Sequence, residues 1–244
     1  MVGEGARRQQ REWGVWRMDF SADQRRAWAE LYRRQLPRVE QHACRAYLEG
    51  FERLALPADD IPSLDHLNAR ITPATGWQTV RTAVRYSDAT DWYAEFAQKR
   101  FLVTDYMRGW EELDFTPEPD MFHDIFGHLP FMTLPAYAEL EELFAPAFMR
   151  ADPVQREAVK RLAWYSTEFG LLREGGEIKL FGAGLISSGA EADRVVAGEV
   201  PILPFRCEEI VPHEKAVWEF NHQLFVSESL DELKGELRRY FDTF

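Results

Sequence analysis

Glu118-Pro-Asp-Met-Phe-His-Asp-Ile-Phe-Gly-His128 is an apolar stretch carrying two imidazoles, His123 and His128, five residues apart. Further along, Trp164-Tyr-Ser-Thr-Glu-Phe-Gly170 holds one carboxylate, Glu168, among aromatic and aliphatic neighbours. A carboxylate in such company is costly unless a cation or a donor compensates it. Two imidazoles and one carboxylate are the ligand set of a non-haem iron(II) site with positions left open to oxygen. The competing reading is two hydrogen-bonded core histidines and a salt-bridged glutamate. On an ideal α-helix, residues five apart point about 140° from each other. Both rings therefore reach one metal only where the helix is disturbed. Gly127 and Pro130 weaken regular helix there, which predicts that His128 swings inward. The His-Glu-x-x-His motif of zinc proteases is absent. Spacing alone leaves the metal site and the core reading level.

The flanking sequence reads as mostly helical. Pro119 fits the first turn of a helix carrying His123, and Pro135 to Met149 forms another helical stretch. Asp152-Pro153 is an N-cap followed by proline in the first helical position, starting a helix that runs to Glu168 or Phe169. After a turn at Gly175-Gly176, Ile178 to Ile186 is strand-like but broken by glycines. Upstream, Ser21-Ala-Asp-Gln24 is a capping box. It opens an amphipathic helix with Trp28, Leu31, Tyr32 and Leu36, interrupted at Pro37. A second helix then carries Val39, Ala43, Tyr47 and Leu54 on its buried face. A loop over 57–62 leads to a short helix capped by Ser63 and ending near Arg70. Trp77 to Tyr86 and Phe101 to Thr104 read as strands around a helix over 88–99. From Glu228 a last helix presents Leu230, Leu233, Leu237 and Phe241 at helical spacing. The expectation is a loosely held arm over residues 1–20, which Trp13, Trp16 and Phe20 can dock, ahead of one domain over 21–244. Its class is mainly α (α+β), with a few short strands.

With 244 residues, 45% of them hydrophobic and 14% aromatic, the chain can bury a substantial core. Its net charge of −12 argues against a nucleic-acid partner, whose phosphates call for a basic surface. Cys44 and Cys207 stand far apart in no metal-type spacing and read as buried free thiols. No apolar run reaches membrane-span length, and the charged N-terminus lacks the apolar stretch of a signal peptide. A cytoplasmic protein without a membrane segment is expected.

Three longer motifs go beyond spacing. Thr116-Pro-Glu-Pro-Asp-Met-Phe-His-Asp-Ile-Phe-Gly-His-Leu-Pro130 closely resembles the signature of the pterin-dependent aromatic amino acid hydroxylases. Trp164-Tyr-Ser-Thr-Glu-Phe-Gly-Leu171 and Ile178-Lys-Leu-Phe-Gly-Ala-Gly-Leu-Ile-Ser-Ser188 resemble two further signatures of that family, in the same order. The resemblance covers about residue 80 to the C-terminus. It implies the aromatic amino acid hydroxylase catalytic-domain fold around ferrous iron, with tetrahydrobiopterin or a similar reduced pterin and O2 as co-substrate. The implied activity is ring hydroxylation of a free amino acid, with L-phenylalanine to L-tyrosine the leading expectation.

By the same resemblance, His123, His128 and Glu168 match the iron ligands. Arg108 matches the arginine that grips the substrate carboxylate, and Asp120 the acid that orients it. Thr116, Pro117, Trp164, Phe169 and Gly184 match positions lining the amino acid site. Ser187 matches a serine near an iron-ligand histidine and the substrate. Trp92 and Asp124 match pterin-side positions, with packing an equal reading for Trp92. Ala163 departs from the family, which commonly has tyrosine there, and this leaves phenylalanine 3-hydroxylation and tryptophan hydroxylation open. So do a non-catalytic binder of an aromatic amino acid or pterin and a zinc hydrolase using the same ligands. With no room before the catalytic part for a regulatory domain and no heptad tail after it, the family's compact bacterial pattern and a monomer are expected.

Overall fold

The computed structural model describes residues 20–84, 88–113 and 118–244. Helices α1 (Ala22–His42), α2 (Arg45–Leu54) and α3 (Leu64–Thr75) come first. They are followed by β1 (Gln78–Thr82), α4 (Ala89–Phe96) and β2 (Arg100–Thr104), the two strands pairing in parallel. A π-helical segment over His123–His128 leads to α5 (Pro135–Glu141), α6 (Phe144–Arg150) and α7 (Pro153–Ala163). The last of these continues as a second π-helical turn, Trp164–Glu168. Next come β3 (Leu171–Glu174), β4 (Glu177–Leu180), α8 (Ala183–Ser187), α9 (Gly189–Val196) and β5 (Ile202–Pro204). The chain closes with α10 (Cys207–Ile210), β6 (Leu224–Ser227) and α11 (Leu230–Phe241). The second sheet has the order β4-β3-β6-β5, antiparallel only between β3 and β4. The mainly helical class with short strands is therefore as expected.

Local signals placed several boundaries well. Ser21 Oγ accepts the Gln24 N–H and Gln24 Oε1 accepts the Ser21 N–H, closing the capping box of α1. Asp152 caps α7 in the same reciprocal way with Gln155. Gly175 and Gly176, at φ +60° and +85°, form the two-residue turn between β3 and β4 that other residues rarely adopt. Cys44 and Cys207 are buried free thiols, and burial pushes the Cys44 thiol up to about 12.

Five expectations are corrected. Pro37 does not interrupt α1, which runs on to His42 and carries Val39 itself. The helix loses one backbone bond at Pro37, but Trp28, Leu31 and Val39 pack into the core along one face, and buried Gln35 donates to the Ser187 carbonyl at 2.9 Å. What ends α1 is a tertiary contact: Ala43 turns extended and bridges Leu180, whose carbonyl takes the Cys44 N–H at 2.9 Å. The helix capped by Ser63 extends past Arg70 to Thr75 and stops at Gly76, φ +76°. The stretch Pro135 to Met149 is two helices, because Pro146 offers no N–H to Glu142 and sits in the first turn of α6. Finally, only Glu177–Leu180 of the strand-like 178–186 run is strand; beyond Gly182 it becomes α8. Of the strand expected over Trp77 to Tyr86, only Gln78–Thr82 forms, and its far end lies outside the described residues.

The core gathers around the first π-helical segment. Phe122 stacks on Phe126 at 4.7 Å, Trp28 meets Phe122 edge-on at 5.3 Å, and Tyr47, Phe51 and Tyr32 surround Phe126. Pro130 has no N–H to give the Phe126 carbonyl. The Tyr47 hydroxyl, 2.8 Å away and wholly buried, donates to that oxygen instead. No described helix is long and apolar enough to cross a membrane.

Candidate metal centre

The helix bearing the histidines is not broken to bring them together; it is widened. In a π-helix the hydrogen bond spans five residues, so residues five apart return to the same face. His123 and His128 thus point to one side, with rings 4.8 Å apart and 88° to each other. This replaces the expected inward swing of His128 past a weakened helix. Pro119 also precedes the helix instead of sitting in its first turn: Asp120 Oδ1 accepts the His123 N–H at 3.1 Å, and the helix begins at Met121. Glu168 comes from the second π-helical turn, where the Phe169 N–H reaches the Trp164 carbonyl, five residues back, at 2.9 Å.

The donor atoms converge. His128 Nε2 lies 3.1 Å from His123 Nε2 and 3.1 Å from Glu168 Oε1, and His123 Nε2 lies 3.4 Å from Glu168 Oε2. Donors about 2.1 Å from a common ion and at right angles sit about 3.0 Å apart. Ser187 sets the tautomer of His123. Its hydroxyl donates to the Ala183 carbonyl at 2.8 Å, so at 2.9 Å it accepts the His123 Nδ1–H. The His123 Nε2 lone pair is thereby left facing the cluster. The His128 and His123 side chains are 6% and 13% exposed and that of Glu168 28%, so the cluster opens on the glutamate side.

The electrostatics suit a cation. Burial pulls His123 down to about 4, against Glu168. Burial also opposes charging of His128, yet Glu168 beside it outweighs this and raises it. For Glu168 burial works upward, but His128 and His123 hold the carboxyl down to about 2. Ionised Glu168 and neutral His123 are the forms that donate to metals, and the upward pull on His128 shows that the carboxylate draws a positive charge to this spot.

Arg108 and Asp120 form a buried pair. Arg108 Nε and Nη2 donate to Asp120 Oδ2 and Oδ1 at 2.7 and 2.9 Å, and the Arg108 backbone N–H donates to Oδ2 at 3.1 Å. One carboxylate therefore ties the guanidinium to the first turn of the histidine helix. Trp164 and Phe169 are half-buried, with ring centroids 4.6 Å apart. Gly184 lies against Phe169: a Cβ there would stand 2.6 Å from Phe169 Cζ. Trp92 packs on Phe96 and Phe101 at 4.9 and 5.4 Å. Asp124 Oδ2 accepts the Thr104 N–H at 2.8 Å, anchoring the end of β2, and burial pushes its carboxyl up to about 7. Thr116 and Pro117 lie outside the described residues. Ala163 is the last residue of α7, next to Trp164.

Three buried polar residues packed around these groups carry no signature in the sequence. Glu141 is buried, accepts the Tyr137 hydroxyl at 2.8 Å, and is pushed up to about 7 by burial. Asn221 and Glu191 hold Trp164 and are taken up below. Each reads in sequence as an ordinary loop or helix polar residue, and only the fold brings it to the site.

Gly182 backs the carboxylate ligand position. A Cβ there would lie 2.2 Å from the Glu168 carbonyl oxygen and 2.4 Å from the Phe169 nitrogen, both backbone atoms. Gly182→Ala is expected to cost about 1–3 kcal/mol by overpacking and to displace Glu168. A lower thermal midpoint together with reduced iron content after reconstitution checks it; an unchanged pair of values counts against the packing argument.

A helical domain that gathers two imidazoles and a carboxylate in this way has the make-up of a mononuclear non-haem metal protein. The chain belongs to the biopterin-dependent aromatic amino acid hydroxylase family, whose model matches residues 4–244. It is 36% identical to a phenylalanine-4-hydroxylase of Vibrio cholerae over 174 residues, 71% of this chain and 60% of that one. It is 33% identical to the phenylalanine-4-hydroxylase of Mesorhizobium japonicum over 221 residues, 88% of this chain and 79% of the relative. A solved Chromobacterium violaceum phenylalanine hydroxylase with bound iron(III) and 7,8-dihydrobiopterin superposes with a TM-score of 0.86 at 31% identity, covering 92% of this chain and 82% of that one.

Proposed function

We propose that the chain is an iron(II)- and tetrahydropterin-dependent monooxygenase that hydroxylates the ring of a free aromatic L-amino acid, with L-phenylalanine to L-tyrosine as its reaction. The observation carrying this reading is the triangle of His123, His128 and Glu168 donors, 3.1–3.4 Å apart, in a chain of this family. The fit to iron is chemical as well as geometric, since imidazole nitrogens and carboxylate oxygen suit ferrous iron. Bound together, ferrous iron and a reduced pterin supply the activation of O2 that ring hydroxylation needs.

The protein's own residues hold and orient. His123, His128 and Glu168 hold the metal, and Ser187 keeps His123 in the tautomer that donates. Arg108 takes the substrate carboxylate; Asp120 already occupies its Nε–Nη2 edge, so further binding falls to Nη1 and the second proton of Nη2. Trp164, Phe169 and Gly184 wall the space for the aromatic ring, with Thr116 and Pro117 assigned there by the family motif. Trp92 and Asp124 are assigned to the pterin side. There Asp124 acts through its hold on β2 as much as by contact. A cytoplasmic monomer completes the reading.

Ala163 favours one second reading. A methyl where relatives have a phenol ring leaves more space beside Trp164, which admits a shifted ring or an indole, hence 3-hydroxyphenylalanine or hydroxytryptophan. The deciding experiment is product identification by chromatography after incubating iron-loaded protein with a synthetic tetrahydropterin, O2 and a mixture of phenylalanine, tyrosine and tryptophan. Tyrosine formed from phenylalanine is expected. Its absence, with another hydroxylated product present, transfers the assignment to that product; pterin left unoxidised under all conditions removes the oxygenase reading.

A further inference from the structure

The Trp164 indole is held at its polar edge by a buried relay. Trp164 Nε1 donates to Asn221 Oδ1 at 2.9 Å. Asn221 has no exposed surface, and it donates both its backbone N–H and its Nδ2 to Glu191 Oε1, each at 3.0 Å. Glu191, 5% exposed in the first turn of α9, faces Arg194 Nη1 with its other oxygen at 3.4 Å. Arg194 Nη1 also reaches the Asn221 carbonyl at 3.3 Å. An indole N–H only donates and a carboxylate only accepts, so a single orientation of the Asn221 amide satisfies both neighbours.

The ring face is constrained as well. Phe169 lies 4.6 Å from the indole, tilted by 41°, and is itself wedged against Gly184. Lys215 Nζ stands 5.9 Å from the indole centroid. Despite these restraints Trp164 remains half-exposed, in the same π-helical turn as the glutamate of the metal cluster. Satisfying one N–H would need only a carbonyl or a water. A buried carboxylate from a separate helix, clamping a buried amide, is a costly way to do so unless the direction of the ring matters.

We propose that Asn221, clamped by Glu191, is a positioning residue that fixes the Trp164 indole and so sets which aromatic side chains the site accepts. This rests on the reading, given above, of Trp164 as a wall of the amino acid pocket. Without the Asn221 acceptor the indole turns about its own side-chain bonds, and the width of the slot changes. Differences of about one methylene in such a slot are worth roughly 10–200-fold in discrimination.

Asn221→Leu keeps the volume and removes the acceptor. Two quantities report on it: the ratio of dissociation constants for tryptophan and phenylalanine, by calorimetry on iron-loaded protein, and the ratio of their kcat/KM values. Discrimination against the indole is expected to relax, so the first ratio falls and the second rises, each by about tenfold. In a Trp164→Phe background, which lacks the N–H, adding Asn221→Leu is expected to change them less than twofold. Equal changes in both backgrounds, or none in either, overturn the proposal. Should Asn221→Leu not fold, Asn221→Ser withdraws the acceptor while keeping a polar group in the cavity. Trp164→Phe alone then reads the same bond from its other end, and wild-type ratios in it overturn the proposal. Wild-type protein that binds neither amino acid removes the pocket reading underneath; wild-type binding with an indifferent Asn221 removes this proposal alone.

Discussion

Glu168→Ala is expected to yield a folded protein that neither retains iron nor forms product. Among the described residues, its carboxylate pairs with the two histidines: Oε1 with His128 and Oε2 with His123, at 3.1 and 3.4 Å. Truncating it takes one of three donors from the metal and leaves both imidazoles in place. Losing an outer hydrogen-bond partner of a metal ligand costs about 10–100-fold, so losing the ligand itself is expected to cost more than about a hundredfold in hydroxylation. Metal analysis after reconstitution and chromatographic measurement of tyrosine check the two parts separately. Circular dichroism is expected to match the wild type, since the π-helical turn is held by the Trp164–Phe169 and Ser166–Gly170 backbone bonds and not by the carboxylate. His123→Ala is expected to behave alike. Wild-type turnover in either variant removes the ligand assignment.

The second large effect is expected from Arg108→Ala, and it falls on substrate binding. A charge-assisted hydrogen bond contributes about 1.5–3 kcal/mol, so the KM for phenylalanine is expected to rise roughly 10–150-fold, with kcat changed much less. The variant leaves Asp120 wholly buried without its cation, and breaking such a pair costs about 3–5 kcal/mol. Asp120 keeps the Arg108 and His123 backbone N–H groups as donors, so the fold is expected to survive with a lowered thermal midpoint. Arg108→Lys separates charge from shape. Lysine cannot span both Asp120 oxygens while presenting a further edge, so it is expected to recover stability but little of the KM. Steady-state kinetics beside thermal melts check this; an unchanged KM in the alanine variant places the carboxylate grip elsewhere.

The site was legible to different depths. The two histidines and the glutamate stood out because a metal-type donor set in apolar company is chemically expensive, and the motifs around them named the family. The means of their convergence was misread: residues five apart suggested a broken helix, whereas a π-helical turn changes the angular step itself. Ser187 was placed by motif, yet its action on the His123 tautomer depends on where the hydroxyl sends its own proton, to Ala183. Asn221 and Glu191 were invisible, since a polar loop residue and a helix-start acid are common everywhere and their pairing spans 30 residues of sequence. Asp124, expected on the pterin side from the motif, holds the Thr104 backbone at the end of β2, a contact the sequence does not signal.

Read alone, the chain determined what can be written locally. Caps at Ser21, Ser63 and Asp152, the glycine turn at 175–176, and the apolar period of the helices follow from short-range hydrogen bonding, backbone freedom and side-chain spacing. Donor identity at the metal centre belongs here too, because ligand chemistry resides in single side chains. The tertiary structure decided where α1 stops, that α8 is helix, and which buried polar groups meet. Each of these turns on a partner distant in sequence: Leu180 for Cys44, the Glu168 backbone against Gly182, Asn221 for Trp164. A buried N–H or carbonyl must find its partner wherever the packed chain brings one, and that choice is made in space.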